Sequence, residues 1–275
     1  MNQALIDKIK QMLIGLGLEK GDTVFVHSGI GPIANLLGPN ACVAIPQALR
    51  AFHAALLETV GEGGTIATPG FFYDYARKGK PFILESSPPD RKLGFYPMHL
   101  LQQQECRRSL NPIASILAVG KYADEICAHT SAHAYGITSP WARLVERGAK
   151  GLVIGLPFMM TFIHHIEAMV GVPHIYNKIF NTPVLVGGKP TDLPVTAAVR
   201  YLKYDIGYKD DRIVALLRRE GAMAEITDGK LTASLTGFRD LLRLVSAELA
   251  KNTSYTLKNP PKFIPGEVPD DGPRG

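Results

Sequence analysis

Short runs of β-branched and aromatic residues alternate along this chain with stretches whose apolar residues recur at helical spacing. No other feature narrows the fold as much. The first run, Asp22-Thr-Val-Phe-Val-His27, ends in Ser28-Gly-Ile-Gly31, the pattern of a strand entering a tight loop. Residues 46–60 then carry a helical pattern that stops at Gly61-Glu-Gly-Gly64, after which Thr65-Ile-Ala-Thr-Pro69 resumes as a strand. Strand, helix, strand in that order is a βαβ crossover, which implies parallel pairing in an α/β fold. The alternation continues with strands over 114–120 and 151–155 and helices over 122–129, 141–147, 161–169, 211–220 and 236–251. Thr161 is placed to act as the N-cap of the helix over 161–169.

The chain has 275 residues, 46% hydrophobic and 20% charged, enough to bury a continuous core and too apolar for disorder. A single domain over 1–257 is expected, with an irregular aromatic and proline-rich excursion near 70–107 and a Pro/Gly-rich tail over 258–275. The net charge of +5 is mild and the basic residues are scattered. A nucleic-acid partner is therefore not expected, whereas an anionic small ligand is compatible. Cys42, Cys106 and Cys127 are odd in number and form no CxxC pair, which fits reduced thiols. Residues 1–22 read as an amphipathic helix without a signal-peptide core, and no stretch reaches the ~20 apolar residues of a membrane span. A cytoplasmic location is expected, and a homodimer by base rate.

The densest chemical constellation is His164-His165-Ile166-Glu167. On a helix, i and i+3 share a face, so His164 pairs with Glu167 while His165 turns away. Imidazole titrates near neutrality, and a carboxylate beside it fixes the tautomer, which makes His164 and Glu167 a candidate general-base pair. A metal-dependent hydrolase built on His164, His165 and Glu167, with His174 nearby, is the alternative from another class; adjacent helix histidines diverge, however, and no HExxH spacing is present. His27-Ser28-Gly29 closes the first strand with small and hydroxyl groups that let a ligand approach. Arg107 and Arg108, ahead of Asn111 and Ser115, suit a phosphate or a solvated rim. Tyr73 and Asp74, among further aromatic residues, suit a cationic amine or a lid packed on itself.

Taken in order, five segments resemble the aminoglycoside 3-N-acetyltransferase family: Val24-Phe-Val-His-Ser28, Gly63-Gly-Thr-Ile-Ala-Thr-Pro69, Arg108-Ser-Leu-Asn-Pro-Ile-Ala-Ser115, Tyr135-Gly-Ile-Thr-Ser-Pro140 and Thr161-Phe-Ile-His-His-Ile-Glu167. The resemblance implies an α/β/α sandwich with a mixed, largely parallel central sheet. It implies acyl-coenzyme A as co-substrate, a primary amine as acceptor, and no metal. By the same resemblance His164 and Glu167 are the catalytic dyad, His27, Ser28, Gly29, Arg108 and Ser115 line the coenzyme A channel, and Tyr73, Asp74 and Asn111 face the acceptor.

Three positions depart from the antibiotic-modifying members: Asn111 and Ala114 stand where those have histidine, and Gly29 where they have a second serine. Aminoglycosides are polycations, whereas this chain is net basic and carries Arg77, Lys78 and Lys80 beside Asp74 and Glu85. The Asn-Pro variant and Ile175-Tyr-Asn-Lys-Ile-Phe180 are similar to members that acylate amino sugars of surface polysaccharides. The expected acceptor is therefore an amino sugar, free or nucleotide-linked, with aminoglycoside 3-N-acetylation as the alternative.

Overall fold

A computed structural model describes residues 2–38, 41–128, 131–201, 203–264 and 266. At the centre of its main sheet, β1 (Thr23–Ser28) runs parallel to β2 (Thr65–Pro69) on one side and to β6 (Lys150–Ile154) on the other. Beyond β2 lie β5 (Ile116–Gly120) and the short β4 (Arg107–Arg108); beyond β6 lie β12 (Leu231–Gly237) and β11 (Met223–Asp228). Each of these four pairs antiparallel to its inner neighbour. The sheet is mixed, as expected, with its parallel part confined to the three central strands. A hairpin turning at Gly229, φ +60°, reverses β11 into β12, and the long excursion after β2 brings β5 back in the opposite direction.

Residue parity along the central strands divides the interior into two cores. Val24, Val26, Ile66, Leu152 and Ile154 face one side, packed by α1 (Gln3–Gly15), α2 (Ile30–Ala34), α3 (Ala41–Val60) and α5 (Tyr96–Leu101). Phe25, Ala67, Ile116, Ala118 and Val153 face the other, against α6 (Ala123–Cys127), α7 (Pro140–Glu146), α8 (Ile163–Val170), α9 (Asp210–Arg219) and α10 (Phe238–Lys251). Strands buried on both faces read as unbroken apolar runs, and the result is the α/β/α sandwich. On the second face Phe25 lies 5.1 Å from Trp141, and Phe162 stacks on Phe238 at 4.1 Å. Each such side chain contributes roughly 1.5–3 kcal/mol by burial.

Several boundaries differ from the pattern reading. The helix expected over 46–60 begins at Ala41, with Pro46 inside it at the expense of one backbone hydrogen bond. The expected helix over 122–129 ends at Cys127, and His129 lies outside the described residues. So does most of the tail, residues 265 and 267–275, and so does the side chain of Cys42; Cys106 and Cys127 are free thiols.

The excursion over 70–107 is packed rather than loose. It carries α4 (Asp74–Lys78) and β3 (Phe82–Ile83), the latter paired with β8 (Val184–Val186), which in turn pairs with β9 (Lys189–Pro190). Its Phe71, Tyr75, Phe82 and Tyr96 are buried, because aromatic residues there complete both cores. Away from the main sheet, β7 (Ile175–Phe180) and β10 (Val195–Arg200) form an antiparallel ribbon.

Candidate active site

The carboxyl ends of β1 and β6 lie side by side, and the chain leaving them builds the site. The Gly29 N–H donates to the Ile154 carbonyl at 2.8 Å, and a Cβ at Gly29 would lie 2.3 Å from the Gly155 carbonyl oxygen. Only glycine permits that approach. Alternation along β1 sends His27 to the α8 face, where it meets Phe25 edge-on at 5.3 Å, and sends Ser28 to the opposite face. The Ser28 hydroxyl is buried without a hydrogen-bond partner among the described residues. Burial pulls His27 down to about 4, so it is neutral and its Nε2 accepts from the Thr161 N–H at 3.4 Å. Thr161 also places its hydroxyl 3.3 Å from the same nitrogen. It does not cap α8: the N-cap is Phe162, which lacks a capping side chain, and Thr161 instead ties β1 to the helix start.

In the first turn of α8, His164 Nδ1 lies 3.3 Å from Glu167 Oε2, the pairing the i,i+3 spacing implies. The Glu167 side chain is 0% exposed and that of His164 is 35% exposed. Both carboxylate oxygens are fully engaged. Tyr208 donates its hydroxyl to Oε2 at 2.8 Å, while Thr256 and His174 reach Oε1 at 2.7 and 3.1 Å. A buried charge survives only when its lone pairs are satisfied, and here four donors satisfy them. Burial alone would push the Glu167 carboxyl up, but the hydrogen bonds and charges of His164 and His174 outweigh it and bring the group down to about 2. An ionised Glu167 makes His164 Nδ1 the protonated nitrogen. His164 Nε2 then carries the free lone pair, with no partner among the described residues.

Three groups surround the imidazole. Tyr208 meets its ring edge-on at 5.2 Å and Tyr135 lies 6.0 Å away. Asp210 is close enough for the two charges to act on each other; burial raises its carboxyl, an effect that His164 opposes and Asp211 reinforces. Asp210 and Asp211 also line a cavity of about 500 Å³ with Leu156, Phe158 and Ser234.

His165 takes no part. Its Nδ1 lies 2.9 Å from the Tyr135 carbonyl, it is 3% exposed, and burial lowers it to about 4. The set His164, His165 and Glu167 therefore does not converge on one point, and His174 meets Glu167 as a hydrogen-bond donor.

Four of the expected binding residues spend their polar groups on the protein itself. Arg108 is buried, stacks on Phe82 at 4.5 Å, and spends its terminal nitrogens on the Ser87 and Gly70 carbonyls. Ser115 donates to the same Gly70 carbonyl at 2.5 Å. Both fasten the excursion to β5. Asn111 donates to the Ala132 and Thr196 carbonyls at 3.0 Å each and accepts from the Ile113 N–H at 3.1 Å, which leaves its amide no free donor. Asp74 bonds Lys78 at 3.0 Å and Lys80 at 2.7 Å on the exposed side of α4. Tyr73 does stay near the site, half-buried and within electrostatic range of Tyr135.

The sequence profile described as aminoglycoside 3-N-acetyltransferase matches residues 25–250. The chain belongs to the aminoglycoside 3-N-acetyltransferase family. Aminoglycoside N(3)-acetyltransferase IX of Micromonospora chalcea is 30% identical over 200 residues, covering 66% of this chain and 68% of that protein. The type III enzyme of Serratia marcescens is also 30% identical, over 190 residues, covering 66% and 70%. Among solved structures, AAC-IIIb in binary complex with CoASH superposes with a TM-score of 0.75 at 24% identity, covering 93% of this chain and 98% of that one. AAC-VIa bound to sisomicin gives 0.72 at 23% identity, covering 90% and 97%. These likenesses establish the aminoglycoside 3-N-acetyltransferase fold. Tyr208 and Thr256 are absent from the motifs that resemble the family, and Thr256 lies beyond the matched residues altogether. Both reach Glu167 across long sequence separations that local pattern does not register.

Proposed function

We propose that this chain is an acyl-coenzyme A dependent N-acyltransferase whose acceptor is the primary amine of an amino sugar or a related small molecule. One observation carries the reading: a half-exposed imidazole with its outer nitrogen free and its inner nitrogen fixed to a buried, four-donor carboxylate. His164 Nε2 takes the proton from the amine as its nitrogen attacks the thioester carbonyl. The C–N bond forms, the C–S bond breaks, and the proton passes from His164 to the departing thiolate. Glu167 holds the tautomer and offsets the charge on the imidazolium. His27, Ser28 and Gly29, at the carboxyl end of the central strand β1, are the part of the expected coenzyme A channel tied through Thr161 to the start of α8. The solved relative with CoASH supports that co-substrate.

Release of free thiol from acetyl-coenzyme A in the presence of an amine tests the reading. His164→Ala is expected to lower kcat by about a hundredfold or more. His165→Ala should retain the chemistry and lower the melting temperature, because that ring is packed in the core. Wild-type-like turnover by His164→Ala would remove the dyad from the mechanism.

A second reading is favoured by a separate observation. The curated relatives are named for aminoglycosides, and Asp210 and Asp211 set two carboxyl groups in the cavity near His164. On that reading the acceptor is a polycation and the activity confers antibiotic resistance.

A further inference from the structure

Arg200 closes β10, opposite Ile175 at the start of β7, and so stands beside His174 and the buried carboxylate that His174 holds. Its guanidinium carbon lies 5.4 Å from the centre of the Tyr208 ring, the same ring whose hydroxyl is 3.2 Å from His164 Nδ1. One nitrogen, Nη1, is anchored to the Ile206 carbonyl at 2.7 Å. The charge acts on Tyr73, Tyr135 and Tyr208 alike, in each case against burial, which locates it over the aromatic wall around His164.

What bears on binding is that Arg200 combines this place on the Tyr208 ring with the lack of an anion beside it among the described residues. Three cations on or next to α4 are matched: Arg77 with Asp90 at 3.8 Å, Lys78 and Lys80 with Asp74 at 3.0 and 2.7 Å. Among the described residues no carboxylate pairs with Arg200, and its side chain is exposed. A guanidinium held on a tyrosine face by one backbone bond keeps its remaining donors in a fixed plane, the arrangement that suits a carboxylate or a phosphate. The same charge repels a polycation approaching His164.

We propose that Arg200 is a specificity-determining residue that binds an anionic group, carboxylate or phosphate, on the acceptor, so that the preferred substrate is an amino sugar carrying a negative charge. This rests on the acyl-transfer reading above, and the two fail differently.

The test uses the full chain with acetyl-coenzyme A and three acceptors: glucosamine, glucosamine 6-phosphate and the polycation kanamycin. Glucosamine 6-phosphate should give the lowest KM. Arg200→Gln should raise that KM by about tenfold or more, the loss expected for a charge-assisted hydrogen bond, with kcat and the KM for glucosamine little changed. Arg200→Lys, which keeps the charge without the fork, should fall between, and confirms that the fold is intact. Calorimetric binding of glucosamine 6-phosphate should weaken in parallel. Equal effects of Arg200→Gln on glucosamine and its phosphate, preference of the wild type for kanamycin, or phosphate-ester binding indifferent to Arg200 would each overturn the proposal. Arg200-dependent binding with no thiol released from any acceptor would instead overturn acyl transfer and leave the anion site standing.

Discussion

At the scale of single residues, the most informative group is Glu167. Its four donors come from α8 itself, from the residues just after it, from the approach to α9 and from beyond α10. Only the first of these was legible in the sequence, because only it lies at a helical spacing. His174 stood out by residue type, yet its role as a donor depends on where the chain turns after α8. Asn111 misled for the opposite reason: a polar residue in a chemically rich stretch invites a ligand role, and its amide is spent on three backbone groups. Glu167→Gln keeps the shape and removes the charge, so kcat should fall about a hundredfold or more. The folded carboxyl sits at about 2, below its ordinary value of 4.5. Its stabilisation is therefore complete above about pH 4.5 and fades as pH falls through about 2. Melting temperatures followed across that window should show a component in the wild type that the glutamine variant lacks.

At the scale of elements, β1, β2, β5, β6 and most helices followed from periodicity, whereas the direction of β5 did not. A crossover helix dictates parallel pairing, but an excursion as long as 70–107 lets β5 return either way, and only packing decides. The reversal between β11 and β12 was marked by Asp228-Gly229, a turn signal embedded in a region whose strands alternate weakly. Arg108 shows how a site reading can fail at this level: two arginines before a strand resemble a phosphate cradle until the second is found fastening the excursion. Gly29 belongs to this level too, since its lack of a side chain lets β1 and β6 end together. Gly29→Ala should destabilise by about 1–3 kcal/mol, the usual cost of overpacking, because the new methyl meets backbone that cannot swing aside. Urea unfolding would measure it, and an unchanged midpoint would show that the two loops can part.

The whole molecule is two cores sharing one sheet, and several histidines are sealed into it as neutral groups. Burial holds His27, His53 and His165 near 4, below the ordinary 6.5, with His99 adding to the effect at His53. The folded chain resists protons that the unfolded chain accepts, so the share of stability these three histidines govern should decline as pH falls from about 6.5 to about 4 and level off below. His53 is remote from α8 and pairs with Tyr96 at 3.1 Å. His53→Gln can retain that bond, and it should reduce the slope of stability against pH by up to one proton while transfer activity persists.

Thr256 has a consequence in time as well as space. It follows α10, yet it donates to the carboxylate of Glu167, the group proposed to orient the base. During synthesis every strand of the sheet is made before residue 256 is added. A chain can thus hold all the strands of its sheet while the Glu167 carboxylate still lacks one of its four donors.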